Sequence, residues 1–120
     1  MKGKVPQGPK VTEAMVQRSI VEYLRLRNIL FFSVLNELAG GGKQAQIRMK
    51  KAIGMGLLAG VSDLVVVLEN AVIFMEVKSE SGRQSKNQRW FQSVVESLGH
   101  TYVVVRNVAD VERALDGKVR

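Results

Sequence analysis

Two apolar runs near the middle of the chain predict a β-hairpin. Residues 62–68 and 71–78 are rich in valine and other β-formers, and a Glu-Asn pair separates them. A spacing of two residues suits a tight hairpin turn. Counting outward from this turn across the two strands places Asp63 opposite Glu76. The pattern therefore brings two carboxylates side by side.

A first helix is expected from Thr12, a good N-cap residue, to a stop signal at Asn28. Its apolar stripe includes Ile20 and Leu24. Continued backwards at the same spacing of three and four residues, the stripe ends on Gln17 and Glu13. A polar start to a buried stripe indicates a functional site at this end of the helix.

A second helix repeats this feature. Ser85 and the residue three positions later have capping-box spacing, and Gly99 is a stop signal. The predicted buried stripe consists of Leu98, Val95 and Phe91, and it continues backwards to Gln88 and Gln84. Trp90 and Phe91 stand inside this helical pattern, so both are expected in the core.

The other segments complete a mixed α/β pattern. They are a buried strand at 29–35, a glycine-rich mobile loop at 36–43, a short basic helix at 44–53, a strand at 101–105 and a final helix capped by Asn107. The glycine-rich stretch 54–60 is expected to bring backbone close to another part of the molecule. Without the short basic helix, the order is α, β, β, β, α, β, α.

Composition indicates one small domain with an affinity for polyanions. The 120 residues are enough for one packed core at 11–120, which follows a flexible basic arm at 1–10. The net charge is +7, which makes nucleic acid the default partner. Candidate phosphate contacts are Lys43, Arg48, Lys50, Lys51, Arg83, Lys86 and Arg89. No apolar run is long enough to span a membrane.

The paired carboxylates favour a metal site. The chain has no cysteine, so a metal would use oxygen ligands or His100, which is expected to be a surface turn residue instead. Like charges opposite one another in a sheet are destabilising unless a partner compensates them, and Mg²⁺ would do so. Strand alternation puts Lys78 on the face of Glu76. The alternative is a Glu-Lys ion pair on a solvated strand face.

Over residues 13–108, the sequence resembles the VRR-NUC family of the PD-(D/E)XK nuclease superfamily. The segments that carry the resemblance are TEAMVQ with Glu13 and Gln17, NELAGGG with Asn36, GVSDLVVV around Asp63, EVK at 76–78, RQSKNQRWF with Gln84 and Gln88, and VVVRN with Arg106. Two positions depart from the family pattern. Ser62 stands where proline is usual, and Asn107 replaces the second arginine of the name-giving pair.

The resemblance implies a restriction-endonuclease-like fold, with a mixed four-stranded sheet flanked by helices, and a metal-dependent activity. Glu13, Asp63, Glu76 and the Val77 carbonyl would hold Mg²⁺ or Mn²⁺. Lys78 would position or activate the attacking water, and Gln88 would join the catalytic group. Gln17, Asn36, Gln84 and Arg106 are further candidates.

The implied function is phosphodiester hydrolysis in branched DNA such as four-way junctions, in the cytoplasm of a bacterium or a phage-infected cell. Two alternatives stay open: a basic module that only binds nucleic acid, and an endonuclease that cuts flaps or ordinary duplex. Symmetric cutting of a junction needs two sites, which predicts a homodimer. Met55, Leu57 and Leu58 are candidates for its interface, or they cap the domain's own core.

Overall fold

The computed structural model describes residues 9–34 and 42–119. Within these ranges the elements are α1 (Glu13–Leu26), β1 (Leu30–Ser33), α2 (Gly42–Gly54), β2 (Leu64–Leu68), β3 (Ala71–Val77), α3 (Lys86–Ser97), β4 (Thr101–Val105) and α4 (Val108–Leu115). Residues 1–8 of the predicted arm (1–10) and most of the predicted mobile loop, including Asn36, lie outside the described residues. None of the described helices combines the length and apolar content needed to cross a bilayer.

The strands form one mixed sheet in the order β1-β2-β3-β4. The first three are antiparallel, and β4 is parallel to β3. Leu68 pairs with Ala71, so the hairpin has the predicted register. The turn is possible because Asn70 adopts a left-handed conformation with φ of 64°, which asparagine tolerates better than most residues. The predicted fold class and hairpin are confirmed.

Local side-chain hydrogen bonds begin the helices where the sequence predicts. The Thr12 side chain accepts a hydrogen bond from the Met15 backbone, and Asn107 caps α4 in the same way. Ser85 and Gln88 form both hydrogen bonds of a capping box at the start of α3. Each cap satisfies backbone donors that the first helical turn cannot pair internally.

Helices α1 and α4 cover one face of the sheet. Strand alternation directs every second side chain of β2 and β3 toward them. The buried cluster consists of Val16, Ile20, Leu24, Ile29, Leu64, Val66, Ile73, Met75, Val77, Val105, Val111 and Leu115. Val16 supplies the first turn of the α1 stripe, so this stripe has an apolar start. The predicted polar start is wrong, because Gln17 lies beside the stripe and is only half-buried.

Helix α3 packs against the opposite face, over the β3–β4 side of the sheet. Phe91 makes edge-on ring contacts with Phe74 and Tyr102, at centroid distances of 5.7 and 6.1 Å. Phe74 and Glu76 are two positions apart on β3, so both point toward α3. Glu76 therefore lies on the face of the sheet that α3 covers.

Strand β1 is an exposed edge and not the predicted buried strand. Leu30 and Phe32 are 67% and 53% exposed. They align with Val67 and Val65 on the α3 side of the sheet, and α3 packs at the other end of that face. The apolar pattern of a strand does not reveal whether a helix covers that part of the sheet.

Two apolar residues of the α3 region are also exposed, against expectation. Trp90 is 52% exposed because it lies about 200° around the helix from Gln88, which faces the sheet. Leu98 follows the last helical residue as the C-cap and leaves the buried stripe, with 68% exposure. The predictions that Trp90 and Leu98 are buried are wrong, whereas Val95 is in the core.

Candidate active site

The candidate site lies at the sheet edge where β3 and β4 end and β2 begins. Asp63 immediately precedes β2, and its Oδ2 accepts a hydrogen bond from the Val77 backbone at 2.7 Å. The last paired residues of the hairpin are Leu64 and Met75, so the next step along the two strands aligns Asp63 with Glu76. The Asp63 side chain thus binds the backbone of β3 just beyond the last residue pair of β2 and β3.

Glu76 is fully buried, at 0% exposure, in the penultimate position of β3. Burial raises its pKa from 4.5 to about 9, and the hydrogen bond and negative charge of Asp63 act in the same direction. The nearby charge of Lys78 partly offsets this shift. Two adjacent carboxylates, one of them in a desolvated position, cannot both ionise readily without a cation.

The two oxygens of Glu76 have different partners. Oε2 accepts a hydrogen bond from the Gln88 side chain at 3.3 Å. Oε1 is buried without a hydrogen-bond partner, and it is the one such side-chain atom found among the described residues. A buried polar atom without a partner is costly in free energy, so Oε1 needs either a proton shared with Asp63 or a bound cation.

Lys78 follows β3 directly and is 7% exposed. Its backbone donates to the Val105 carbonyl at 3.0 Å, which continues the pairing of β3 with β4. Alternation keeps its side chain on the same face as Glu76, and its charge acts on that carboxylate. Both residues are buried, so the alternative of an ion pair on a solvated strand face is wrong.

Glu13 lies at the exposed first turn of α1, close enough for its charge to contribute to the raised pKa of Glu76. Over residues 9–34 and 42–119, no three acidic, histidine or cysteine side chains converge closely enough to hold a metal. The structure therefore pairs Asp63 with Glu76 and leaves Glu13 at a greater distance. Gln17 lines a shallow groove along α1 with Ala14 and Val21.

A close backbone contact joins the Asp63 segment to α3. A Cβ atom added to Gly60 would lie 2.4 Å from the Asn87 carbonyl oxygen. Only glycine fits, and its φ of 90° also favours glycine. The predicted close approach in the glycine-rich stretch is confirmed, and it holds the segment before β2 against the turn of α3 that carries Gln88.

Gln84 and Gln88 have different partners: Gln84 binds side chains of α3 and β4, whereas Gln88 binds Glu76. Its amide nitrogen donates to the Gln92 side chain at 3.0 Å and to the Tyr102 hydroxyl at 3.2 Å. Burial, followed by the negative charge of Glu76, raises the pKa of Tyr102 to about 12. Tyr102 was not predicted from the sequence, because its position under α3 depends on the parallel placement of β4.

The candidate phosphate contacts lie on two surfaces. Lys43, Arg48, Lys50 and Lys51 are exposed on α2, and Arg83 and Lys86 are exposed where the chain enters α3. Arg89 donates to the Gln84 carbonyl at 2.7 Å, which ties its guanidinium to the start of the helix. Helix α2 begins two residues before its predicted start and ends one residue after its predicted end, and none of its residues is buried.

Comparison with solved structures finds the same fold in a VRR_NUC domain protein. The TM-score is 0.62 and the sequence identity is 16%, over 92% of this chain and 89% of the other. Neither a protein-family model nor a curated protein matches the sequence. The chain therefore has the α/β fold that the resemblance implied, with the mixed four-stranded sheet described above.

Proposed function

We propose that this chain is a metal-dependent endonuclease of the VRR-NUC type that hydrolyses phosphodiester bonds in branched DNA. The observation that carries this proposal is the Glu76 carboxylate, fully buried beside Asp63, with its Oε1 unpartnered. A purely structural carboxylate at this position would be expected to have its hydrogen bonds satisfied. The shared fold with a VRR_NUC domain protein supports the same conclusion.

The donor atoms suit a hard divalent cation. Asp63 and Glu76 offer carboxylate oxygens, and the Val77 carbonyl and Glu13 are the further ligands in this proposal. Mg²⁺ or Mn²⁺ typically binds through one or two carboxylates and keeps several waters. When bound, such an ion lowers the pKa of a water and offsets charge on the phosphate. Glu76 must lose its proton to act as a ligand.

Lys78 and Gln88 both act on the Glu76 carboxylate. The Lys78 ammonium is held at low exposure next to the carboxylates, where it can orient the attacking water and stabilise negative charge on the phosphate. Gln88 donates to Glu76 Oε2 and thereby orients the carboxylate. Neither role requires a covalent intermediate with the protein.

Branched DNA is the proposed substrate, with the four-way junction as its leading form. The net charge of +7 favours a polyanion, and the two exposed basic surfaces offer contacts to phosphates of separate DNA segments. Symmetric cutting of a junction requires two sites at a fixed separation, which a two-fold homodimer provides. Met55 and Leu58 are 83% and 44% exposed and are proposed as part of that interface.

A cleavage panel tests the activity. Linear, flap, splayed and four-way DNA are incubated with Mg²⁺ or Mn²⁺, and the products of the parent chain are compared with those of Asp63→Ala, Glu76→Ala and Lys78→Ala. We expect the parent to cut four-way DNA fastest and each variant to lose cleavage by about 1000-fold or more, as for loss of a central catalytic group. DNA binding should survive in all three variants.

Glu69→Ala is the matched control, because Glu69 is exposed at the opposite end of the same hairpin. It should cleave like the parent. Parent-like cleavage by Glu76→Ala would show that the site is assigned wrongly. Binding without cleavage of any substrate would favour the binding module, and preferential cutting of flaps or linear duplex would favour the other endonuclease classes.

A further inference from the structure

Arg106 follows β4, and its guanidinium points toward the backbone of another loop. Its Nη1 donates to the carbonyls of Ser79 at 2.6 Å, Glu80 at 3.2 Å and Gly82 at 2.7 Å. The backbone of Arg106 donates to Asp110 Oδ2 at 2.8 Å, which anchors it to α4. Arg106 Nη1 is therefore within hydrogen-bond distance of three backbone carbonyl oxygens of the segment 79–82.

That segment is a turn, closed by a hydrogen bond of 3.1 Å from the Gly82 backbone to the Ser79 carbonyl. The turn lies against the side chain of Lys78, because a Cβ atom added to Gly82 would be 3.5 Å from Lys78 Cδ. It also connects the end of β3 to the cap of α3. The turn thus lies between the two elements that carry Lys78 and Gln88.

We propose that Arg106 is a positioning residue that fastens the Ser79–Gly82 turn over the aliphatic stem of Lys78 and so holds the ammonium beside Glu76. This role rests on the proposed function of the site. Nη1 has two N–H groups, so two of the three carbonyls share one hydrogen. Hydrogen bonds from a charged donor are stronger than those between neutral groups, so these contacts restrain the turn. Nη1 is thus bound to the turn, and the proposal assigns Arg106 to this turn and not to DNA phosphate.

Arg106→Met removes the charge and the donors while keeping most of the side-chain volume, and Arg106→Lys returns one cationic nitrogen with three donors. Amide hydrogen exchange of residues 79–82 is measured in the metal-free chain. We expect exchange to rise about tenfold in Arg106→Met, and less in Arg106→Lys, with α1 and β2 unchanged. Arg25→Met is the matched control, because Arg25 is exposed in the last turn of α1, where its guanidinium lies over the Phe31 ring.

Cleavage of four-way DNA supplies the second readout. We expect kcat to fall about 10- to 100-fold in Arg106→Met, with partial recovery in Arg106→Lys, as for a residue that orients a catalytic group. The affinity for the junction in EDTA, and its dependence on salt, should equal those of the parent. Each lost phosphate contact would instead make the logarithmic salt slope shallower by about 0.9.

The outcomes separate this inference from the proposed function. Unchanged exchange at 79–82 in Arg106→Met would overturn the positioning role whatever the chain cleaves. Unchanged kcat with a shallower salt slope would also overturn it and would assign Arg106 to phosphate binding. If Glu76→Ala cleaved like the parent, the assignment of the active site would fail, whereas absence of cleavage by the parent would overturn the proposed function. In both cases the exchange result still decides whether Arg106 holds the turn. A failure of Arg106→Met to fold leaves Arg106→Lys to decide by the same two measurements.

Discussion

At the residue scale, Glu76 is a buried carboxyl group, and burial disfavours the ionised form that the proposed metal binding requires. A carboxyl group with its pKa near 9 is protonated at neutral pH, and this neutral form can donate a hydrogen bond to Asp63. The folded chain therefore binds one more proton than the unfolded chain between pH 4.5 and about 9. Linkage then requires the free energy of unfolding to fall as pH rises through this window. Metal binding would reverse part of this loss, because it needs the ionised form.

We expect Glu76→Gln to stabilise the metal-free chain at pH 8, because the amide keeps a donor toward Asp63 and cannot ionise. The gain in free energy of unfolding should be on the order of 1–3 kcal/mol, after allowing for relaxation around the charge. It should shrink toward zero near pH 4.5. Thermal or urea unfolding in EDTA across this range measures the effect. Parallel pH profiles for Glu76→Gln and the parent would contradict it, and Glu69→Gln is the exposed control.

At the scale of elements, the site depends on how the segment before β2 meets α3. The contact between Gly60 and the Asn87 carbonyl leaves no room for a side chain. Backbone atoms cannot move aside as the end of a flexible side chain can. This contact therefore sets the distance between the element that carries Asp63 and the one that carries Gln88.

Gly60→Ala is expected to destabilise the chain by roughly 2–4 kcal/mol, because the added methyl group overlaps backbone and the positive φ is strained. It should also reduce cleavage by displacing α3. Urea unfolding and the cleavage assay measure the two effects. Gly54→Ala is the control, since Gly54 has open space around it in α2. Equal stability of both variants would show that the 60–87 contact does not restrain the fold.

At the scale of the whole molecule, exposed apolar side chains and a helix without buried residues favour assembly with a second copy. None of the residues of helix α2 is buried, and Met55, which follows the helix, is 83% exposed. Leu58 is also exposed, whereas Leu57 is half-buried and belongs in part to the chain's own packing. This arrangement gives the proposed dimer interface an apolar centre beside basic residues.

Light scattering at micromolar concentration should give a mass near twice 13.3 kDa. We expect Met55→Glu to shift the mass to that of one chain and to replace paired cuts of a junction by single nicks. Leu98→Glu introduces the same charge at another exposed leucine and should leave the dimer intact. A single-chain mass at concentrations where paired cuts occur would exclude the homodimer and favour a nickase or flap enzyme.

The features that the sequence alone determined are local in origin. The hairpin register follows from a two-residue turn and strand alternation, so the alignment of Asp63 with Glu76 and the position of Lys78 could be predicted. The caps at Thr12, Ser85 and Asn107 each depend on a residue three positions away. Such patterns are visible in a single chain because both partners lie within one short segment.

Only the tertiary structure decided which surfaces are covered and which distant backbone groups meet. Leu30 and Phe32 belong to an apolar run but remain exposed, because the reach of α3 across the sheet is set by the packing of whole elements. Placing β4 parallel to β3 brings Tyr102 under α3 and Arg106 to the turn after Lys78. These contacts join residues far apart in sequence, so no local periodicity specifies them.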